Sequence, residues 1–151
     1  MVDFKNANEI LDFAIQNEQN AVEFYTELAK TARTDDMRNT FEQFAREEVA
    51  HKVRLIKIRV EGIFTLSTEK VADLKIADYV VKTEHTATMS YEQALVLAMK
   101  KEKAAFKLYL KLSENVSTPE LKQLFLGLAQ EESRHKLRFE LEYDEFVLRE
   151  N

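Results

Sequence analysis

The chain has 151 residues, of which 32% are charged and 45% hydrophobic, with two glycines, one proline, no cysteine and a formal net charge of −5. This length supports one domain with a core of its own, and so few turn-forming residues leave little from which to build hairpins or a phosphate-cradling loop. The lack of cysteine excludes disulfides, thiolate chemistry, zinc ribbons and iron–sulfur or rubredoxin-type centres within the chain, and the acidic balance argues against a nucleic-acid partner held by phosphate contacts. The start, MVDFKNANEI, has no basic segment followed by an apolar one, and no apolar run nears the roughly 18 residues of a membrane span. A cytoplasmic protein with no membrane partner is expected.

Helix signals then follow one another along the chain. Asn6 or Asn8 caps a first helix over residues 7–32, and Thr34 or Asp35 opens a second over 35–61. Gly62 suits the left-handed residue that ends it. Residues 62–89 form a crossover in which Glu69–Val81 reads as a short helix. Ser90-Tyr91-Glu92-Gln93 reads as a capping box for a third helix over 90–114. Ser117-Thr118-Pro119-Glu120 reads as another, with Pro119 tolerated in the first turn, for a fourth helix over 118–146. Each helix is about 25 residues, or about 38 Å. The short connections make each flanking pair an antiparallel hairpin, and the crossover is long enough to run the length of the bundle. The expected fold is all-α: a four-helix bundle of two antiparallel hairpins joined by a long crossover, in one domain over residues 1–151.

The two hairpins are related. An offset of 84 residues, which carries Ala14 onto Ala98, also pairs Glu18 with Glu102, Ala21 with Ala105, Tyr25 with Tyr109 and Leu28 with Leu112. The same offset pairs Glu47 and Glu48 with Glu131 and Glu132, His51 with His135, and Arg54 with Arg138. One period this long, repeated once, fits two hairpins about a pseudo-twofold axis rather than a solenoid.

The repeated polar residues interrupt apolar stripes. Glu18 shares a face with Leu11, Ala14, Ala21 and Tyr25, and Glu102 with Leu95, Ala98, Ala105 and Tyr109. Glu48 and His51 share one with Phe41, Phe44, Leu55 and Ile58. Glu132 and His135 share one with Leu121, Phe125, Leu128 and Phe139. A buried, unpaired carboxylate costs several kcal/mol, so these groups need a partner. Glu and His three apart on a helix reach one point beside its axis. A single Glu-x-x-His says little in a glutamate-rich chain; two, in register with two further core-facing glutamates, point to a metal site. Four carboxylates balance two divalent cations, and oxygen with imidazole ligands suits iron or manganese. Four converging glutamates raise one another's pKa and destabilise the metal-free fold, so metal binding is expected to raise the melting temperature.

On these residues the chain resembles the rubrerythrin branch of the ferritin-like di-iron carboxylate superfamily, whose pattern is a Glu on each of two helices and a Glu-x-x-His on each of the other two. The resemblance covers essentially the whole chain. It implies two iron ions per chain, with manganese as the other metal. Glu48 and Glu132 would be bridging ligands, Glu18 and Glu102 terminal ones, and His51 and His135 would each serve one iron. It implies an oxidoreductase that uses hydrogen peroxide or dioxygen as oxidant and works as a homodimer. The family's C-terminal rubredoxin domain has no counterpart in this cysteine-free chain, so an external electron donor such as a rubredoxin or flavoprotein is expected. Where the family carries a further glutamate one turn after the third-helix ligand, Ala105 stands here. A ferroxidase or iron-handling protein, and a non-enzymatic helical module kept for stability, are the alternatives.

Around this set, Tyr25 and Tyr109 sit two turns beyond Glu18 and Glu102, placed to hydrogen-bond ligand carboxylates or simply to pack. Glu47 and Glu131 lie about 100° from the ligand face and read as solvated or paired with arginine. His85 reads as a surface residue of the crossover, and Gly127 as a point of close helix approach. Phe139, Tyr143 and Phe146 read as core or as a dimer surface.

Overall fold

A computed structural model describes residues 3–81 and 89–150. His85 lies outside these residues. Four long helices, α1 (Ala7–Lys30), α2 (Asp35–Glu61), α4 (Tyr91–Asn115) and α5 (Pro119–Glu150), pair as the hairpins α1–α2 and α4–α5. The crossover between them carries a short helix α3 (Thr68–Asp73) and a 3₁₀ turn (Ile76–Asp78) where the sequence suggested one helix over Glu69–Val81. Only helices and irregular segments occur among the described residues. None of these helices is long and apolar enough to cross a membrane.

Local chemistry sets the helix ends. The Asn6 side chain accepts from the Glu9 amide and the Thr34 hydroxyl from the Met37 amide, satisfying donors that the first turn leaves free. Gly62 ends α2 at φ 67°, a conformation that costs glycine little. Ser90 and Gln93 make both bonds of the capping box. The start of α5 differs from the expectation. Its helix begins at Pro119, and Thr118, not Ser117, accepts from the Leu121 amide at 3.4 Å. The residue before a proline is pushed to extended backbone, which is the conformation of an N-cap. The first helix ends at Lys30, where Thr31 leaves helical geometry, and α5 runs on past Phe146 to Glu150.

The core is divided. One apolar cluster holds Ile10, Leu11, Leu55, Ile58, Leu108, Leu112, Leu121 and Phe125, and the crossover adds Phe64, Val71, Leu74 and Tyr79 to it. The other holds Tyr25, Leu28, Met37, Phe41, Phe44, Leu95 and Phe139. Along each long helix the chain passes from one cluster to the other at Glu18, Glu48, Glu102 or Glu132. Phe139 is wholly buried, Tyr143 packs against the second cluster, and Phe146 meets the Tyr91 ring edge-on at 5.2 Å. At that end Arg33, in the α1–α2 loop, makes two hydrogen bonds to the buried Glu142 of α5, which also accepts from the Tyr91 hydroxyl. Gly127 does not mark a close approach: a Cβ built on it meets nothing within 4 Å.

Candidate metal centre

The layer between the two clusters brings together all six residues singled out by the repeat. Glu18, Glu48, His51, Glu102, Glu132 and His135 are each 2% exposed or less. They form two overlapping groups, Glu18, Glu48, His51 and Glu132, and Glu48, Glu102, Glu132 and His135. Within each, one ligand atom per residue lies within 4.8 Å of the others. Glu48 and Glu132 belong to both. His51 Nδ1 is 3.5 Å from Glu18, 3.3 Å from Glu48 and 3.0 Å from Glu132. His135 Nδ1 is 3.3 Å from Glu48, 3.6 Å from Glu102 and 3.9 Å from Glu132. The two imidazoles lie nearly parallel, 6.3 Å apart.

These atoms face one another without bonding one another. Glu18 Oε2, Glu48 Oε1, Glu102 Oε2, Glu132 Oε1 and the Nδ1 atoms of both histidines are buried with no protein hydrogen-bond partner. Buried polar atoms are ordinarily paired, so six convergent orphans of this kind fit a pair of cations. Burial, followed by the charges of the surrounding glutamates, raises Glu48 and Glu132 well above the usual carboxylate range. Burial alone would lower the histidines, but Glu18 and Glu48 lift His51 to about 11, and Glu102 and Glu48 lift His135 to about 10. In the absence of cations these four groups therefore favour their protonated forms.

The tyrosines cross between hairpins. Tyr25 of α1 donates to Glu102 of α4, and Tyr109 of α4 donates to Glu18 of α1. Both hydroxyls are raised well above their ordinary value by burial, then chiefly by the carboxylate each one meets. They stay protonated donors that fix the two carboxylates.

The outer nitrogens of the histidines reveal what the sequence reading missed. Nδ1 of His51 is turned to the carboxylates, so Nε2 is left to donate, and it meets Glu131 of α5 at 2.9 Å. Glu131 also lies 3.5 Å from Arg54. In the pseudo-symmetric place Glu47 of α2 pairs with Arg134 and lies 3.6 Å from His135 Nε2, too far for a hydrogen bond. The His135 ring is braced instead by Phe44, stacked on it at 4.0 Å, with Arg134 over the far ring at 5.9 Å. The pairing of Glu47 and Glu131 with arginine stands; their reach to the histidines of the opposite helix is new. Their recurrence at the repeat offset was the available signal.

Comparison with known proteins gives a family and two structures of similar fold. The Rubrerythrin family model matches residues 9–143. A hypothetical protein from Pyrococcus furiosus is similar at 27% identity with a TM-score of 0.72, over 91% of this chain and 88% of that one. A protein from Thermotoga maritima, described as a ferritin-like diiron-carboxylate protein, superposes with a TM-score of 0.77 at 20% identity, over 96% of this chain and 99% of that one. No curated protein matches.

Proposed function

The chain belongs to the rubrerythrin family and has a ferritin-like fold, and from that premise we propose that its buried layer holds two iron ions in an oxidoreductase that reduces hydrogen peroxide with electrons from an external donor. The observation that carries this reading is the set of six buried, convergent ligand atoms without protein partners. When bound, the reduced pair supplies the two electrons of H₂O₂ + 2 e⁻ + 2 H⁺ → 2 H₂O.

The roles within the chain follow from position. Glu48 and Glu132 belong to both ligand groups and serve as the shared carboxylates. Glu18 with His51, and Glu102 with His135, complete the two halves. Tyr25 and Tyr109 hold the outer carboxylates at fixed angles, and Glu131 fixes the His51 ring. The apolar clusters close the layer toward both ends of the bundle. These 151 residues hold no cysteine, and the reading assigns re-reduction to an external donor of the rubredoxin or flavoprotein class.

The test is anaerobic loading with Fe(II), followed by stopped-flow mixing with hydrogen peroxide or dioxygen while near-ultraviolet absorbance is followed. The reading expects saturation at two ions per chain and faster oxidation by peroxide. Faster oxidation by dioxygen, with continued turnover of added iron, would replace it with an iron-handling ferroxidase. Independently of turnover, Fe(II) or Mn(II) at a hundredfold excess over its dissociation constant should raise Tm by about 5–10 °C. Glu132→Gln should abolish that rise. An unchanged melting curve for the parent chain would overturn the site itself.

A further inference from the structure

The carboxylate layer adjoins a space larger than hydrogen peroxide needs. Between α1 and α4 lies a cavity of about 270 Å³ that touches Glu18, Glu48, Glu102 and Glu132 but neither histidine. The side chains of these four buried glutamates therefore form its floor. Small residues cut back its walls, Ala21 on α1 and Ala104 and Ala105 on α4. Phe13 and the crossover residues Tyr79, Val80 and Val81 make one part of its wall apolar, while Asn17, Asn20 and Lys101 make another part polar. Tyr79 is itself buried in the core, which anchors that part of the crossover over the bundle.

Size and polarity together select a ligand class. A water's share of the liquid is about 30 Å³, so the cavity has room for about nine waters, far more than a molecule of two heavy atoms fills. Small-molecule sites characteristically surround an apolar body while a few convergent polar groups fix one end. Resting on the peroxide-reducing reading above, we propose that the substrates of this site include organic hydroperoxides with a small apolar group. The hydroperoxide oxygens lie at the carboxylate floor, and the hydrocarbon group packs against Phe13, Tyr79, Val80 and Val81. The balance is ROOH + 2 e⁻ + 2 H⁺ → ROH + H₂O. The O–O bond breaks, and the alcohol and water leave with protons taken from solvent. The two electrons come from the reduced ion pair, which an external iron–sulfur or flavin donor replenishes.

Two measurements test this. In the first, metal-free protein carrying ¹³C-labelled alanine methyls is titrated with tert-butanol, the product of tert-butyl hydroperoxide. Saturable shifts confined to Ala21, Ala104 and Ala105 are expected, with Ala7 and Ala50 unmoved; uniform or unsaturated shifts would overturn the proposal. In the second, Fe(II)-loaded protein is mixed anaerobically with tert-butyl hydroperoxide or hydrogen peroxide. Both should oxidise it, and Ala105→Phe should lower the rate ratio of the organic to the inorganic peroxide by about tenfold or more, the scale on which a pocket discriminates size. Ala104→Leu, at a half-exposed position, supplies the same comparison if the larger substitution fails to fold. Oxidation of the parent chain by hydrogen peroxide but not by the organic peroxide would sink this inference and leave the peroxidase reading intact. No reaction with either would overturn both. An unchanged ratio in the variants would show that the cavity does not receive the organic group.

Discussion

His51 and His135 occupy equivalent places yet are held differently. His51 turns Nδ1 toward the carboxylates without a hydrogen bond and is fixed at Nε2 by Glu131 at 2.9 Å. His135 has its Nε2 without a hydrogen bond and leans on the Phe44 ring. A carboxylate on the outer nitrogen of a metal-ligating histidine orients it and raises its basicity, and its loss costs 10- to 100-fold in affinity. Glu131→Ala should therefore weaken binding at the half that contains His51 by about 10- to 100-fold, while Glu47→Ala, whose contact to His135 is longer, should change affinity less. Competition of Mn(II) or Co(II) against a chelator of known affinity measures both; equal losses would show that the two contacts are equivalent in solution. On a helical wheel Glu47 and Glu131 stand about 100° off the ligand face and look solvated. Only when α2 and α5 lie side by side does that flank meet the other helix's histidine, so no reading of one helix alone places them. The six core-facing candidate ligands were legible for the opposite reason, since each breaks an apolar stripe on its own helix.

At the scale of the element, most boundaries were written locally. Asn6, Thr34, Gly62 and the Ser90–Gln93 box act within a turn of themselves, so sequence suffices to find them. The cap of α5 moved from Ser117 to Thr118 because Pro119 favours the first helical position and forces its predecessor to extended backbone. Gly127 was read as a packing contact, but nothing approaches where its side chain would be; whether a helical glycine touches a neighbour depends on how the helices pack, which its own sequence does not state. Glycine in a helix interior is less favourable than alanine by about 0.5–1 kcal/mol. Gly127→Ala should accordingly raise Tm by about 1–4 °C, measured by thermal melting of the metal-free chain; a lower Tm would reveal a neighbour that the open space does not show.

For the molecule as a whole, the repeat made the two-hairpin architecture readable, because each copy places its own glutamate and histidine on the inward face. The cavity between α1 and α4 was not readable, since it arises from small residues on two helices and from a crossover whose path no periodicity marks. The protonation of the buried layer has a consequence for the entire fold. Glu48, Glu132, His51 and His135 all bind protons more tightly in the folded, metal-free chain than they do unfolded. Groups with raised folded values contribute stability that is lost as pH rises. For the histidines that loss starts near the ordinary value of 6.5 and extends to about 11 for His51 and about 10 for His135. Cations replace those protons, so their stabilisation grows over the same range. The gap in Tm between Mn(II)-loaded and chelated protein should widen from pH 6.5 toward 9; a gap that narrows would contradict this account. The divided core carries the point further. The four long helices change allegiance from one apolar cluster to the other at a single charged layer, so two apolar packings meet across a band of buried polar groups. Cations seated there would act as a keystone between two halves that are otherwise glued separately, and on their withdrawal the backbone amides around Glu18 and Glu102 would lose more protection from exchange than those at the bundle ends, which fray in either state.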